Sequence, residues 1–192
     1  MTRRRAWEVL ASRTALRDRW IDVRADRVRD ARGNVLDPFY TLSYPDWVQV
    51  VAITPADELV LVRQYRHGVQ EETLELPAGR MDPEDASPEV TALRELREET
   101  GYAAPEARLV ASLRPNTASH RNRAFTVLVP GATLRHETAH EAGEDIAVEL
   151  WPLARVLEGL PHGLLPQVMH VSGLTLALVA AGRLDLRLKE GT

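Results

Sequence analysis

Hydrophobic and polar residues alternate with a period of two through most of residues 19 to 66. The runs WIDVRADRV, FYTLSYPDWVQVVAIT and ELVLVRQYR are separated by DARGN and TPADE, which are rich in residues that favour turns. This pattern predicts antiparallel strands in the first third of the chain. A further short strand is predicted at TLELPAG.

The spacing of apolar residues changes to that of a helix after residue 87. Ser87 is a candidate N-cap, Pro88 suits the first helical position, and Gly101 is a typical stop, so we expect a helix at about residues 88–100. Strand-like runs follow at ARLVASL, RAFTVLV and DIAVELW, and two later helical runs, PLARVLEGL and PQVMHVSGLTLALVAAG, each begin with proline. Strands flanked by helices predict an α/β fold whose sheet is covered on both faces.

Length and composition limit the classes of function. A chain of 192 residues can form one domain with a short appendage, and its net charge of -4 argues against broad nucleic-acid binding. The absence of cysteine excludes disulfides and thiolate metal sites, so any metal is bound by oxygen or imidazole. No apolar run is long enough to span a bilayer or to serve as an export signal, and we expect a soluble, cytoplasmic protein without a membrane partner.

The segment LRELREETGY, residues 93 to 102, places three carboxylates on one face of the predicted helix. Spacings of three and four residues bring Glu95, Glu98 and Glu99 close together, and such like charges repel. Arg94 and Arg97 compensate part of this charge, but the oxygens also suit a divalent cation such as Mg2+. The ordinary alternative is a solvated helix of mixed charge.

This segment resembles the signature of the Nudix hydrolases, in which a glycine and a glutamate precede R-E-U-x-E-E-x-G-U, with U bulky and apolar. The match is complete from Arg94 to Tyr102. Fourteen residues separate Gly79 from Arg94, one more than in the family pattern, so either Glu84 or Asp85 fills the first acidic position.

The resemblance extends from about residue 19 to 182, because YPDWVQVVAIT, LVRQYRHG and LELPAG are similar to the branch that cleaves ADP-ribose and related nucleoside-diphosphate sugars. It implies a Nudix fold, an α/β/α sandwich around a mixed sheet, preceded by a small antiparallel N-terminal sheet. Residues 1–45 would be N-terminal strands that pair two chains as a homodimer, and residues 46–192 would be the Nudix domain.

The resemblance also implies a metal site for Mg2+ or Mn2+. Its ligands would be the carboxylates of Glu95, Glu98 and Glu99 together with the backbone carbonyl of Ala78. Gly79 would allow a tight turn at the end of its strand, which brings that carbonyl near the metal.

Further catalytic roles follow from the same resemblance. Arg94 would orient the carboxylates, and a late loop would supply the general base, for which Glu144 is favoured over Glu141. The loop also contains HETAH, residues 136–140, which resembles the H-E-x-x-H of zinc proteases. That motif requires a stable helix, and the glycines around this segment favour a loop instead.

The expected substrate contacts are Arg66, Gly79, Pro115 and Arg121. Arginine suits a diphosphate because its planar guanidinium can form two parallel hydrogen bonds. A surface ion pair is the alternative for Arg66, and a solvated connection between strands is the alternative for Arg121.

The activity implied is metal-dependent hydrolysis of the pyrophosphate bond of ADP-ribose or a related nucleoside-diphosphate sugar to two monophosphates. One alternative is another nucleoside diphosphate derivative, such as GDP-mannose, a dinucleoside polyphosphate or an oxidised nucleotide. The other is a sensor that binds nucleotide sugars without cleaving them.

Overall fold

The protein is described by a computed structural model that covers residues 6–140, 143 and 145–187. The chain divides into two compact units. One contains Met1–Pro45 and Arg114–Arg123, and the other contains Asp46–Leu113 and Ala124–Thr192. In the part of the chain that is described, no helix is long and apolar enough to cross a membrane.

The N-terminal unit is the small antiparallel sheet that the sequence predicted. Its three strands are β1 (Glu8–Arg17), β2 (Asp22–Arg29) and β3 (Val35–Ser43), with β2 in the centre. Strand β1 was not predicted, because EVLASRTALR lacks regular alternation and nearly all of its side chains are exposed. The segment 114–123 joins this unit through Leu42, whose N–H donates to Ser119 O at 2.9 Å and whose carbonyl accepts from Arg121 N at 2.9 Å.

The second unit contains nine strands and three α-helices among its described residues. The strands are β4 (Trp47–Ile53), β5 (Glu58–Arg66), β6 (Glu71–Glu75), β7 (Ala78–Arg80), β8 (Tyr102–Ala103), β9 (Arg108–Leu113), β10 (Ala124–Pro130), β11 (Thr133–Leu134) and β12 (Ile146–Pro152). The helices are α1 (Pro88–Thr100), α2 (Leu153–Gly159) and α3 (Val168–Ala180), and a 3-10 helix spans Leu160–His162. The helix predicted at 88–100 is therefore confirmed. Ser87 is its N-cap by position, although its side chain makes no capping hydrogen bond.

The main sheet is mixed, with the order β12-β5-β4-β10-β9. Strands β4 and β10 are parallel, and the other neighbours are antiparallel. Strands β4 and β5 share one residue pair, Ile53 with Leu59, and beyond it β6 pairs with β5 while β7 pairs with β4. Leu76 and Pro77 carry the chain between them, and Pro77 O accepts from Val50 N at 2.8 Å.

Helices cover both faces of this sheet, as the α/β/α prediction required. Alternate residues of β4 point to opposite faces because side chains in a strand alternate. Val48 and Val50 pack with Leu96 of α1, whereas Val51 packs with Leu174 of α3. Burial on both faces fixes the register of β4, since a shift by one residue would exchange the two sets.

Candidate active site

The acidic face of α1 lies against strand β7. Glu99 is buried, and its Oε2 accepts a hydrogen bond from Ala78 N at 3.0 Å. The carboxylate of Glu95 lies so close to Gly79 that a Cβ atom at residue 79 would collide with it. Glycine at this position therefore allows the strand and the helix carboxylate to approach each other.

Arg94 is the cation at the centre of this face. Its Nη1 donates to Glu95 Oε1 at 2.8 Å and to Glu98 Oε2 at 3.2 Å, and its Nη2 donates to Asp85 Oδ2 at 3.0 Å. Partial burial opposes the charged guanidinium, but the hydrogen bond to Asp85 and the charges of Glu95 and Glu98 outweigh it and raise the pKa of Arg94. Arg94 thus contacts three carboxylates, and its orienting role in catalysis stays a prediction.

Asp85, rather than Glu84, takes part in this network. Its Oδ2 also accepts from Thr91 Oγ1 at 2.8 Å and from the backbone N–H of Asp82 at 3.0 Å. Burial alone would raise the pKa of Asp85, but the bonds from Arg94, Asp82 and Thr91 lower it below its ordinary value. Glu84 is exposed. Of the two candidates, Asp85 is the one that contacts Arg94, and its assignment to the first acidic position stays a prediction.

The donor set fits a hard divalent cation. The Arg94 guanidinium is a positive group surrounded by carboxylate oxygens, and such oxygens are the ligands that Mg2+ and Mn2+ prefer. Over the described residues, no three histidine, aspartate or glutamate side chains already form a metal-binding group. Arg94 contacts one oxygen of Glu95 and one of Glu98, and the predicted ligand set stays a prediction.

Residues 135–140, which we call the capping segment, lie against the C-terminal end of α1. Ala139 N donates to Glu98 O at 2.8 Å, and His140 Nε2 is 3.0 Å from Glu99 O. Earlier in the segment, the N–H groups of residues 135 and 136 both donate to Gly101 O at 3.0 Å. These bonds satisfy carbonyls that the end of a helix leaves without partners.

The capping segment has no helical structure, so the choice of a loop over a zinc-protease helix at HETAH is confirmed. The two candidates for the general base, Glu141 and Glu144, come immediately after this segment in the chain. Both lie outside the described residues, and their catalytic role stays a prediction.

Arg66 lines a cleft of about 420 Å³ in the second unit. Its Nε and Nη2 donate to Glu75 Oε1 and Oε2 at 2.8 and 2.6 Å, which fixes the plane of the guanidinium. Gln167, just before α3, and Thr73 also line the cleft. Arg66 is therefore ion-paired and lines the cleft, and its contact with a substrate stays a prediction.

The expected substrate contacts Pro115 and Arg121 belong to the N-terminal unit. Arg121 is exposed, and its backbone N–H is held by Leu42. The neighbouring His120 packs edge-on against Tyr44, with ring centroids 5.5 Å apart. Contact of Pro115 and Arg121 with a substrate stays a prediction.

Comparison with known protein families gives two matches that together cover most of the chain. The NUDIX domain family matches residues 44–168. The chain belongs to the Nudix family. A second family, the nucleoside diphosphate sugar hydrolase N-terminal domain, matches residues 7–42. Dependence on divalent metal is general among Nudix hydrolases, which agrees with the oxygen-rich face of α1.

Three relatives illustrate the range of similarity. An ADP-ribose pyrophosphatase of Mycobacterium tuberculosis is 26% identical over 170 residues, which cover 88% of this chain and 81% of the relative. An ADP-ribose pyrophosphatase of Bacillus subtilis is 41% identical over 63 residues, which cover 33% of this chain and 34% of the relative. A methanol dehydrogenase activator of Bacillus methanolicus is 48% identical over 59 residues, 31% of each chain. The matched segments thus span about a third of the length of the latter two relatives.

Among solved structures, the crystal structure of an ADP compounds hydrolase is similar to this Nudix protein. The TM-score is 0.80 at 24% sequence identity, and the alignment covers 94% of this chain and 98% of the other. This likeness confirms the predicted fold.

Two residues of the hydrogen-bond network around Arg66 were missed from the sequence. Glu75 stands in the quoted stretch LELPAG, and its position three residues before Ala78 was an available signal. His170, which approaches Glu75 Oε2 to 3.3 Å, is a lone histidine on an apolar helix and gives no signal in the sequence.

Proposed function

We propose that this Nudix protein hydrolyses the pyrophosphate bond of ADP-ribose or a related nucleoside-diphosphate sugar to two monophosphates, with Mg2+ or Mn2+. The observation that carries the proposal is the set of α1 carboxylates gathered around a positive group and against β7. The names of two relatives, both ADP-ribose pyrophosphatases, support the choice of substrate.

Residues of α1 and β7 would have different roles in catalysis. Glu95, Glu98 and Glu99, with the carbonyl of Ala78, would hold the metal. A bound divalent cation would supply charge neutralisation on the phosphates and a more acidic water. Arg94 keeps the carboxylates oriented through its bonds to Glu95 and Glu98.

The cleft beside Arg66 is the proposed location for part of the substrate. A guanidinium held by two hydrogen bonds to Glu75 has little freedom, so binding a phosphate there costs little additional entropy. The general base is proposed to be Glu144 or Glu141, and Pro115 and Arg121 are proposed to contact the sugar or phosphate.

The deciding experiment measures hydrolysis of ADP-ribose with excess Mg2+ and identifies the products by chromatography. We expect AMP and ribose 5-phosphate, and loss of activity when the metal is chelated. GDP-mannose, a dinucleoside polyphosphate and an oxidised nucleotide form the comparison panel. Faster turnover of one of these compounds would make it the assigned substrate in place of ADP-ribose. Tight binding of ADP-ribose without products would favour the alternative that the protein is a nucleotide-sugar sensor.

Single substitutions on α1 test the assigned face. We expect Glu98→Gln or Glu99→Gln to lower kcat by about 100-fold or more with the fold retained, because each removes a charged ligand. Glu89→Gln is the matched control, since residue 89 lies on the opposite side of the same helix from Glu98. Equal turnover in the Glu98 variant and the control would refute the assignment.

We also propose that the N-terminal unit pairs two copies of the chain in the cytoplasm. Several large apolar side chains of this unit are exposed, including Trp7, Leu16 and Trp20. Burial of such side chains stabilises association. Sedimentation analysis that found only monomers at micromolar concentration would contradict pairing.

A further inference from the structure

A buried carboxylate, Glu75, is held by four hydrogen-bonding groups. It is 3% exposed, and it accepts from Arg66 Nε and Nη2, from Thr73 Oγ1 at 2.6 Å and from His170 Nε2 at 3.3 Å. Burial alone would raise the pKa of Glu75, but the bonds from Arg66, His170 and Thr73 hold it well below its usual value. Glu75 is therefore ionised at neutral pH and acts as a fixed acceptor.

Arg66 connects this buried network to the cleft. Its guanidinium uses Nε and Nη2 on Glu75, while the side chain as a whole is 38% exposed and forms part of the cleft wall. A guanidinium bound through these two nitrogens cannot rotate without breaking both bonds. The direction in which Arg66 faces the cleft is therefore set by the position of the Glu75 carboxylate.

His170, in the first turn of α3, contacts the same carboxylate. It is fully buried, and its Nδ1 has no hydrogen-bond partner within the described part of the chain. A leucine there would have no polar atom of its own to satisfy. The bond from Nε2 to Glu75 is a contact that an apolar side chain cannot supply.

We propose that His170 is a positioning residue, which fixes Glu75 and through it orients Arg66 for a phosphate of the substrate. The inference rests on the proposed function for the identity of that ligand, a nucleoside diphosphate derivative. His170 itself does not line the cleft. It acts through Glu75 from inside the protein, because its side chain is fully buried.

The test compares KM and kcat for ADP-ribose in His170→Leu, His170→Gln and the wild type. We expect about a tenfold rise in KM for the leucine variant with kcat changed less than about twofold, because the weakened contact concerns binding. Glutamine should restore most of the wild-type KM, since its amide nitrogen can donate to Glu75. If the leucine variant does not fold, His170→Asn replaces it, because the shorter amide cannot reach Glu75.

Two controls separate positioning from general stability. Leu174→Ala removes a fully buried side chain one turn further along α3, and it should lower the unfolding temperature without raising KM. In an Arg66→Ala background, His170→Leu should have no further effect on KM, because the two residues act in series. An unchanged KM in His170→Leu, an equal rise in Leu174→Ala, or additive effects with Arg66→Ala would overturn the proposal.

A readout without substrate keeps this inference distinct from the proposed function. Hydrogen exchange of the Arg66 Nε–H, followed by NMR, should be faster in His170→Leu than in the wild type and in Leu174→Ala. If the wild type cleaves no nucleoside diphosphate derivative, the proposed function fails while this measurement still tests the orientation of Arg66. Equal exchange in all three proteins would refute positioning by His170.

Discussion

Replacing Gly101 with alanine tests how closely the capping segment fits the end of α1. Gly101 has φ +73°, the left-handed conformation, which costs an alanine about 1–2 kcal/mol. A Cβ there would also collide with His136 O and lie 3.1 Å from Leu134 Cδ1. Crowding against backbone adds about 1–3 kcal/mol, so we expect a loss of about 2–5 kcal/mol in the free energy of unfolding.

Gly163→Ala is the matched control for this prediction. Gly163 follows the 3-10 helix with φ +79°, and a Cβ there would meet no atom within 4 Å. It should therefore show the conformational cost alone, about 1–2 kcal/mol. Urea unfolding followed by circular dichroism measures both variants. If they lose equal stability, the collision with the capping segment does not exist and the described fit is wrong.

Two further predictions concern the acidic networks. Asp85→Ala should lower the free energy of unfolding by about 1–3 kcal/mol and lower kcat, because it removes an acceptor for three donors. Glu84→Ala, the control, should change the free energy of unfolding in urea by less than about 0.5 kcal/mol. Equal effects of the two substitutions would contradict the choice of Asp85. Glu75→Gln should cost about 2–3 kcal/mol at pH 7, because it leaves part of the charge of Arg66 without its partner. The pKa of Glu75 is lower in the folded protein than the usual 4.5, so its ionised form stabilises the fold at neutral pH and this contribution is lost as pH falls below that value. The difference in free energy of unfolding between Glu75→Gln and the wild type, measured in urea, should therefore shrink at low pH. A difference that stays constant with pH would show that the ionisation of Glu75 does not stabilise the fold.

Local signals explain which elements the sequence predicted well. Helix α1 has Pro88 at its first position and Gly101 in the left-handed conformation after its last. The preference of proline for a helix start and of glycine for a helix end depends only on the residue itself. The period of the apolar residues likewise indicated β4 and β5. The carboxylates of α1 were predicted to share a face because spacing along a helix determines it.

The features that were missed depend on contacts distant in sequence. TLELPAG was predicted as one strand, but Pro77 lacks an N–H and the chain changes partner there, from β5 to β4. His170 and Glu75 are 95 residues apart, and no local pattern joins them. The choice between Asp85 and Glu84 also depended on which side chain reaches Arg94 in three dimensions.

The change of partner at Leu76 and Pro77 has a consequence for the choice of ligand. Glu75, the anchor of Arg66, and Ala78, which borders the acidic face of α1, are three residues apart, and even a fully extended chain covers only about 10–11 Å in three residues. Covalent geometry thus sets an upper limit on the distance between the backbones of Glu75 and Ala78, and this limit does not depend on the rest of the fold. For the proposed function, a substrate that contacts both Arg66 and the acidic face of α1 would therefore need charged groups whose separation fits this short stretch of chain.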